Sequence, residues 1–564
     1  MFVRAKKSGA YQYLQIVENQ RIDGHIRQQV VATLGRLDIL QATGKIDAIL
    51  SSCARFAQKV SVLDAYKRRV LPPAETIKIG PPKVFGRLWE QTKIKAVIKE
   101  LLKDRRYDFD VERAIFLTVL HRLMVSGSDR DAEQWCRGYA IEGLEDIQLH
   151  HIYRAMAWLG EPLPANSQFG CSGFAARCTK DLIEEALFAR RRNLFSGLDL
   201  VFFDTTSVYF EGQGGETIGK RGSSKDHRPD LKQMVVAVVL DSSGHPICCE
   251  LWPGNTTDVK TLVPIVERLK GKFGIGRICI VADRGMISKQ NITELQKSVR
   301  DVRFILGAGM RLVKEVRESV LSDTKAYELV YGPRQTSKDA CPLEVKEVKL
   351  VPIRVEAVES RRYIVCRNQE QARKDCAERE AIVESLQERL KRGDKTLVGN
   401  KGYRKYLARP KTGRHFEIDQ DKVNQQARYD GIWVLQTDMD IPAKEVALRY
   451  KELWMVEAIF RDIKSILVNR PIFHKCDETI RGHVFCSFLA LILIKELQWR
   501  MDQRGWTSEW GRLKDDLDSL EEITVRAAGK AFVIRNETRG NVSKAIQAAG
   551  VALGSVIRPL HEPG

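Results

Sequence analysis

Two aspartates come directly after apolar stretches that are typical of buried strands. Asp204 ends the run LDLVFFD, and Asp283 ends the run GRICIVAD. A carboxylate beside a buried strand is unfavourable unless a counter-charge neutralises it. Ligands also commonly collect where the strands of an α/β sheet end. The pattern favours a cation site, although each aspartate could instead cap a turn through the sequences DTTS and DRG.

A third carboxylate lies in the segment RYKELWMVEAIFRDIKSI, residues 449–466, which we predict to be part of one helix ending near Val468. This segment places Tyr450, Glu457 and Lys464 at intervals of seven residues. Helical residues seven apart differ by only about 20° in direction, so the three should share one face, with Arg461 near it. The apolar neighbours of Glu457 predict a half-buried carboxylate. The alternative is a solvated stripe with a weak Glu457–Arg461 pair.

Two aspartates and one glutamate form the donor set of a site for two Mg²⁺ ions, because hard cations prefer carboxylate oxygens. Two such ions about 4 Å apart support displacement at phosphorus. Tyr450 and Lys464 would then flank the ions and hold a phosphate of the substrate. This hypothesis explains why one helix face would carry a hydroxyl, a carboxylate and an ammonium group.

The charge balance points to a polyanionic partner. The chain has 564 residues, with 92 Lys and Arg against 73 Asp and Glu, which gives a net charge of +19. An excess of this size indicates nucleic acid most simply. A basic surface with no such partner is the alternative.

Export and membrane insertion are not expected. The N-terminus lacks an apolar signal core, and the longest apolar run, Val484 to Ile494, is about half a membrane span, so it predicts a buried helix. The twelve cysteines include no Cys-x-x-Cys pair and are expected to be reduced and mostly in the core. These features favour a cytoplasmic protein.

The chain is long enough for several domains. Apolar strands alternate with amphipathic helices in its central part, which predicts an α/β mixed sheet with helices packed on it. The expected regions are a β-hairpin region at 1–45 with a turn at Asp23-Gly24, a mainly helical, DNA-binding region at 46–195, the first part of the core at 196–310, a β-rich insertion at 311–430, the second part of the core with the catalytic helix at 431–505, and a helical tail at 506–564.

A basic loop, GSSKDHRPDLKQ, follows the strand of Asp204 and carries Lys225, Arg228 and Lys232. Lys and Arg supply most phosphate neutralisation in protein–DNA complexes, so we interpret this loop as a DNA-backbone contact. A solvated basic loop without a partner is the alternative.

Taken together, these motifs resemble the DDE transposases of bacterial insertion sequences, in the branch with a Tyr-x2-Arg-x3-Glu-x6-Lys signature. Tyr450, Glu457 and Lys464 fit that spacing, and Leu453 occupies the arginine position. Arg449, Lys451 or Arg461 would have to substitute for it. Asp204 and Asp283 match the first and second catalytic aspartates, in FFDTTSVYF and VADRGM. The stretches GSSKDHRPDLKQ and LWPGNTTD are also similar to this branch.

The resemblance implies a ribonuclease H-like core with a β-rich insertion before the catalytic helix. It also implies cleavage at the ends of the element, followed by attack of the freed 3′-hydroxyl on target DNA, with Mg²⁺ as cofactor or Mn²⁺ in its place. The implied partners are double-stranded DNA, as terminal repeats and target, and a second copy of the chain in a homodimer. Two alternatives stay open: a nuclease of the same core that cuts without joining, and an inactive DNA-binding descendant.

Overall fold

The computed structural model of the chain contains two units. The first comprises Met1–Val84, Gly138–Ala140 and Ser508–Gly564, and the second comprises Phe85–Arg137 and Ile141–Thr507. The residues that the structure describes are 1–22, 25–54, 75–125, 127–168, 176–191, 199–222, 228, 230–275, 278–283, 302–311, 313–336, 339–350, 361–392, 405–408, 416–453, 455–459, 461, 472–527 and 530–559.

The described strands are β1 (Phe2–Ser8), β2 (Tyr11–Ile22), β3 (His25–Arg36), β4 (Glu75–Lys78), β5 (Asp199–Tyr209), β6 (Gln233–Leu240), β7 (Pro246–Pro253), β8 (Ile278–Ala282), β9 (Val302–Ala308), β10 (Glu328–Tyr331), β11 (Leu343–Leu350), β12 (Arg361–Arg367), β13 (Leu407–Ala408), β14 (Glu417–Ile418), β15 (Ile432–Thr437), β16 (Glu521–Ala527), β17 (Lys530–Arg535) and β18 (Ile557–Pro559).

The described helices are α1 (Leu37–Ala42), α2 (Lys45–Ala54), α3 (Gly80–Gln91), α4 (Ile94–Leu101), α5 (Val111–Met124), α6 (Asp129–Trp135), α7 (Leu149–Leu159), α8 (Thr179–Arg191), α9 (Leu262–Gly271), α10 (Gln369–Arg392), α11 (Gln420–Ala427), α12 (Ala443–Lys451), α13 (Asp477–Asp502), α14 (Trp510–Asp518) and α15 (Val542–Ala549).

The first unit contains two antiparallel sheets. Strands β1, β2 and β3 form one of them, so the region predicted as a hairpin is a three-stranded sheet. The predicted turn at Asp23 and Gly24 lies outside the described residues. The second sheet has the order β18-β17-β16-β4. The region predicted as a helical tail contains α14 and α15 but also strands β16 to β18, and β16 pairs with β4, a strand more than 400 residues earlier that no local pattern could indicate.

A nine-stranded mixed sheet is the centre of the second unit. Its order is β10-β11-β12-β15-β9-β8-β5-β6-β7. Strand β8 lies between β5 and β9 and is parallel to both, and the other neighbours are antiparallel. The predicted mixed α/β architecture is confirmed. Strands β10 to β12 of the predicted insertion extend this sheet, and the described part of the insertion also contains a π-helix at Val316–Val320, helices α10 and α11, and the pair β13-β14.

One face of the sheet packs against α9. Alternate residues of the strands point toward this helix, including Val201 and Phe203 on β5 and Ile278, Ile280 and Ala282 on β8. Because successive side chains of a strand point to opposite faces, Asp204 and Asp283 lie on the other face.

Helix α13 contains the apolar run that predicted a buried helix, and its residues from Val484 to Leu491 are buried. It packs closely on α7 at two glycines. A methyl group at Gly482 would lie 1.9 Å from Met156 O, and one at Gly160 would lie 2.0 Å from Glu478 O. Within the described part of the chain, we find no helix with both the length and the apolarity that a bilayer span requires. The described cysteines are free thiols, and most are buried, as predicted.

Candidate active site

Asp204 lies on β5, and Asp283 directly follows β8, the parallel neighbour of β5. The register of β5 and β8 pairs Phe202 with Val281, and each aspartate lies two residues beyond this pair in its own segment. Both point away from α9, so their carboxylates share one face of the sheet. Asp204 is half-buried and Asp283 is exposed.

Strand β5 does not end at Asp204, contrary to our prediction. It continues to Tyr209, because β6 pairs with it through Tyr209 and Gln233. The pairing with β8 stops earlier, so Asp204 lies where β5 loses its parallel neighbour.

The backbone and a neighbouring side chain hold this part of β5. The Thr205 N–H donates to Asp204 Oδ1 at 2.7 Å. The Thr205 hydroxyl, on the opposite face, donates to Asp258 Oδ1 at 2.7 Å. Asp258 comes from the stretch LWPGNTTD, whose role in supporting β5 was not evident from the sequence.

Tyr450 joins α12 to this site. Its hydroxyl donates to Asp283 Oδ1 at 3.1 Å. Helix α12 also lies against β8 and β9, which brings the segment of the third predicted carboxylate to the face that carries both aspartates. Tyr450, which we predicted as a phosphate contact, is therefore a hydrogen-bond partner of the second aspartate in this structure.

The helix that carries Glu457 is not continuous. Helix α12 ends at Lys451, and a turn follows before residues 455–459 are helical again. Across this break the N–H groups of Leu453, Met455 and Val456 each bond to the carbonyl three residues earlier. Such turns have about three residues each, so the regular helical spacing on which the prediction of one shared face rests does not hold across the break.

Glu457 is exposed, and not half-buried as predicted. Its apolar neighbours Val456 and Ile459 are fully buried and carry the packed side of this short helix. Leu453, at the signature's arginine position, is also buried. The predicted contact Lys464 lies outside the described residues.

The cations that could replace the missing arginine differ in their surroundings. Arg449 is paired with Glu445, and Lys451 lies 5.9 Å from the centre of the Tyr331 ring. Arg461 is exposed.

Two of the three predicted cations of the basic loop are described, and each has a partner within the protein. Arg228 donates from Nη2 to Asp230 Oδ2 at 2.9 Å and lies over the Tyr209 ring. Lys232 donates from Nζ to Gln213 O at 2.9 Å. The side chains of Arg228 and Lys232 are exposed. Lys225 lies outside the described residues.

A buried carboxylate that the sequence did not indicate anchors the chain just before this loop. Asp477, the first residue of α13, accepts hydrogen bonds from the N–H groups of Glu216 and Thr217 at 3.0 Å each. The Thr217 hydroxyl bonds to the same carboxylate. Gly215 is required beside it, because a methyl group there would lie 2.1 Å from Asp477 Oδ1.

Comparisons with known proteins identify the family of the chain. The family model of the transposase DDE domain matches residues 196–493, and the model of the IS1634 family transposase N-terminal domain matches residues 2–65. The first match spans more than half of the chain and includes the two aspartates, Tyr450 and Glu457. The chain therefore belongs to the DDE transposases of insertion sequences, a family of enzymes.

Other comparisons add little. One similar solved structure is described as a cryo-EM structure of a piggyBac transposase synaptic complex with hairpin DNA. The identity is 9%, the TM-score is 0.36, and the match covers 78% of this chain and 79% of that one. A TM-score this low does not establish a common fold. No curated protein matches the chain at a significant level.

Proposed function

We propose that this transposase binds the terminal repeats of its insertion sequence, cleaves the DNA at the ends of the element and joins the 3′-hydroxyl to target DNA. The observation that carries the proposal is that Asp204, on β5, and Asp283, directly after the parallel strand β8, fall on one face of the sheet, with Tyr450 bonded to Asp283. Glu457, six residues beyond the end of α12, would complete the triad.

The strand order supports a ribonuclease H-like core. Strands β5, β6 and β7 form an antiparallel meander, and β8 and β9 continue from β5 in parallel, in the order β7-β6-β5-β8-β9. Strands β10 to β12 and β15 would be additions to that core. We also propose that the mainly helical region at 46–195 binds DNA.

Asp204, Asp283 and Glu457 would hold two Mg²⁺ ions, or Mn²⁺ in their place. The donor set fits, because it consists of carboxylate oxygens, which these hard cations prefer. When bound, the ions would lower the pKa of the attacking hydroxyl and stabilise the leaving oxygen of the phosphodiester. The Tyr450 hydroxyl would keep the Asp283 carboxylate oriented, as partners of metal ligands generally do.

The DNA backbone would be held by cations around this face. We propose Arg461 and Lys464 near Glu457, and Lys225, Arg228 and Lys232 in the loop after β5. Arg228 would have to exchange its carboxylate partner Asp230 for a phosphate. An exposed pair of this kind is weak, so the exchange costs little.

Double-stranded DNA is the proposed partner, and a homodimer is proposed because two DNA ends must be brought together. We place the enzyme in the bacterial cytoplasm, at the nucleoid.

A cleavage and joining assay tests this function, with DNA that carries the ends of the chain's own insertion sequence and with Mg²⁺. Asp204→Asn, Asp283→Asn and Glu457→Gln should bind this DNA but neither cut nor join it. Glu452→Gln is the matched control, because Glu452 is a half-buried carboxylate in the turn before Glu457 and should retain activity.

Each other outcome selects an alternative. A wild-type protein that cuts but never joins is a nuclease, and one that binds DNA and does neither is an inactive descendant. Full activity of Glu457→Gln would show that the third ligand is another residue.

A further inference from the structure

Apart from the three proposed catalytic carboxylates, the second unit contains a cluster of two histidines and an aspartate. Asp129 is the first residue of α6, His474 precedes α13, and His483 lies on α13. Asp129 and His483 are buried, and His474 is half-buried. Asp129 is far from the two histidines in the chain, so no local sequence pattern indicates the cluster.

The three potential ligand atoms form a compact triangle. His474 Nε2 lies 3.0 Å from His483 Nδ1 and 3.2 Å from Asp129 Oδ2. His483 Nδ1 lies 3.6 Å from the same Asp129 oxygen. In a tetrahedral site with metal–ligand bonds of 2.0–2.1 Å, two ligand atoms are about 3.3 Å apart. The observed distances lie on both sides of this value.

We infer that Asp129, His474 and His483 bind one divalent metal ion of the Zn²⁺ class. Two imidazole nitrogens and one carboxylate oxygen suit Zn²⁺, whereas Mg²⁺ prefers oxygen ligands alone. Three protein ligands leave a fourth position for water. This site uses none of the residues proposed to hold Mg²⁺, and its ligands join α6, α13 and the segment before α13.

Arg122 makes two contacts in this cluster, one that favours metal binding and one that opposes it. Its Nη2 donates to Asp129 Oδ1 at 3.2 Å, which leaves Oδ2 directed at both histidines. Such a bond to the second oxygen of a ligating carboxylate is usual around metals. The same nitrogen also donates to His483 Nδ1 at 2.8 Å and occupies the lone pair that a metal needs. Metal binding must break this contact, while Ser487 Oγ still holds Arg122 Nη1 at 2.6 Å.

The competing arrangement is therefore a hydrogen-bonded network without metal. Arg122 and Asp129 neutralise one another, and His474 can donate to Asp129 or to His483. The two arrangements can be distinguished by adding metal, because only the first would bind it.

The experiment uses the full chain with Asp204→Asn and Asp283→Asn, so that the proposed catalytic site does not contribute. After treatment with EDTA, the protein is titrated with Zn²⁺ and with Co²⁺. We expect one equivalent of Zn²⁺ by elemental analysis after gel filtration, and the strong visible absorption of tetrahedral Co²⁺. We expect His474→Gln to weaken Zn²⁺ binding at least tenfold.

His245→Gln is the matched control, since His245 is also half-buried and lies beside an aspartate, Asp241. It should bind Zn²⁺ like the parent. Thermal melting guards against misfolding, because the metal-free His474→Gln protein should still unfold cooperatively. Asp129→Asn provides a second variant if His474→Gln does not fold.

Two results would overturn the inference. One is a parent protein that retains no Zn²⁺, gives no tetrahedral Co²⁺ spectrum and melts at the same temperature with and without Zn²⁺. The other is a folded His474→Gln variant that binds Zn²⁺ as tightly as the parent does. Either result assigns the cluster to the Arg122 network.

Discussion

Replacement of Lys180 by methionine is expected to lower the free energy of unfolding by about 3–5 kcal/mol, the usual effect of removing one partner of a buried ion pair. The Lys180 side chain is only 3% exposed. Its ammonium group donates to Asp181 Oδ1 at 2.6 Å and to Cys249 O at 2.7 Å, and lies 3.4 Å from Glu184 Oε2. It thereby joins α8 to β7.

The size of this decrease in the free energy of unfolding follows from the contacts that methionine cannot make. Two hydrogen bonds to a charged group are lost, at about 1.5–3 kcal/mol each. Methionine has a similar volume to lysine, so its packing recovers part of this free energy. Three carboxylates, those of Asp181, Glu184 and Glu250, then face Arg268 alone.

The pH dependence gives a second signature. Burial raises the pKa of Glu184, and Lys180 opposes this rise. Without Lys180 the folded-state pKa should rise further above the unfolded value. A group with a raised folded-state pKa stabilises the fold when protonated, and this contribution is lost as the pH rises through that pKa. The deficit of the variant should therefore be smaller at pH 5 than at pH 8.

Urea unfolding followed by the fluorescence of buried tryptophans such as Trp252 measures both effects. Lys95→Met is the control, because Lys95 forms a partly exposed pair with Glu90 at 3.0 Å. Lys95→Met should lower the free energy of unfolding by less than about 1 kcal/mol. A similarly small cost for Lys180→Met, or a deficit equal at both pH values, would refute the reasoning.

Three further changes test other parts of the structure. Gly482→Ala should destabilise the protein by about 1–3 kcal/mol in thermal denaturation, because the new methyl group would meet Met156 O and force α7 and α13 apart. Burial lowers the pKa of His121 to about 4, so the free energy of unfolding decreases as the pH falls from about 6.5 toward 4. Between pH 7 and pH 5, urea unfolding should show a decrease in this free energy that is about 2 kcal/mol smaller for His121→Leu than for wild type. Asp477→Asn should speed hydrogen exchange at the Thr217 amide at least tenfold, because the charged acceptor is lost; an unchanged rate would argue against the anchor.

Local patterns were enough to predict the central strands. Strands β5 and β8 were predicted from the apolar runs LDLVFFD and GRICIVAD, and the structure contains both. Such runs report burial on both faces, which is a property of each segment alone. The same runs led to Asp204 and Asp283, and their roles as metal ligands stay a proposal.

Properties that depend on distant partners were missed or mistaken. The end of β5 was placed at Asp204, because the sequence does not reveal that β6 pairs as far as Tyr209. The break after α12 was missed, since the segment has helical spacing throughout and the turn accompanies burial of Leu453. Asp477 was overlooked because its partners lie about 260 residues earlier.

The sequence alone was therefore informative about the strands, the helices, the charge and the family, because each of these can be recognised from short stretches of residues or from composition. The strand order, the shared face of Asp204 and Asp283, the contact of Tyr450 with Asp283 and the cluster around His474 required the folded chain. Each of these joins segments through pairing or packing between residues that are far apart in the sequence. A local pattern cannot contain that information, since the partner of a strand or a side chain is determined only when distant segments pack together in the folded chain.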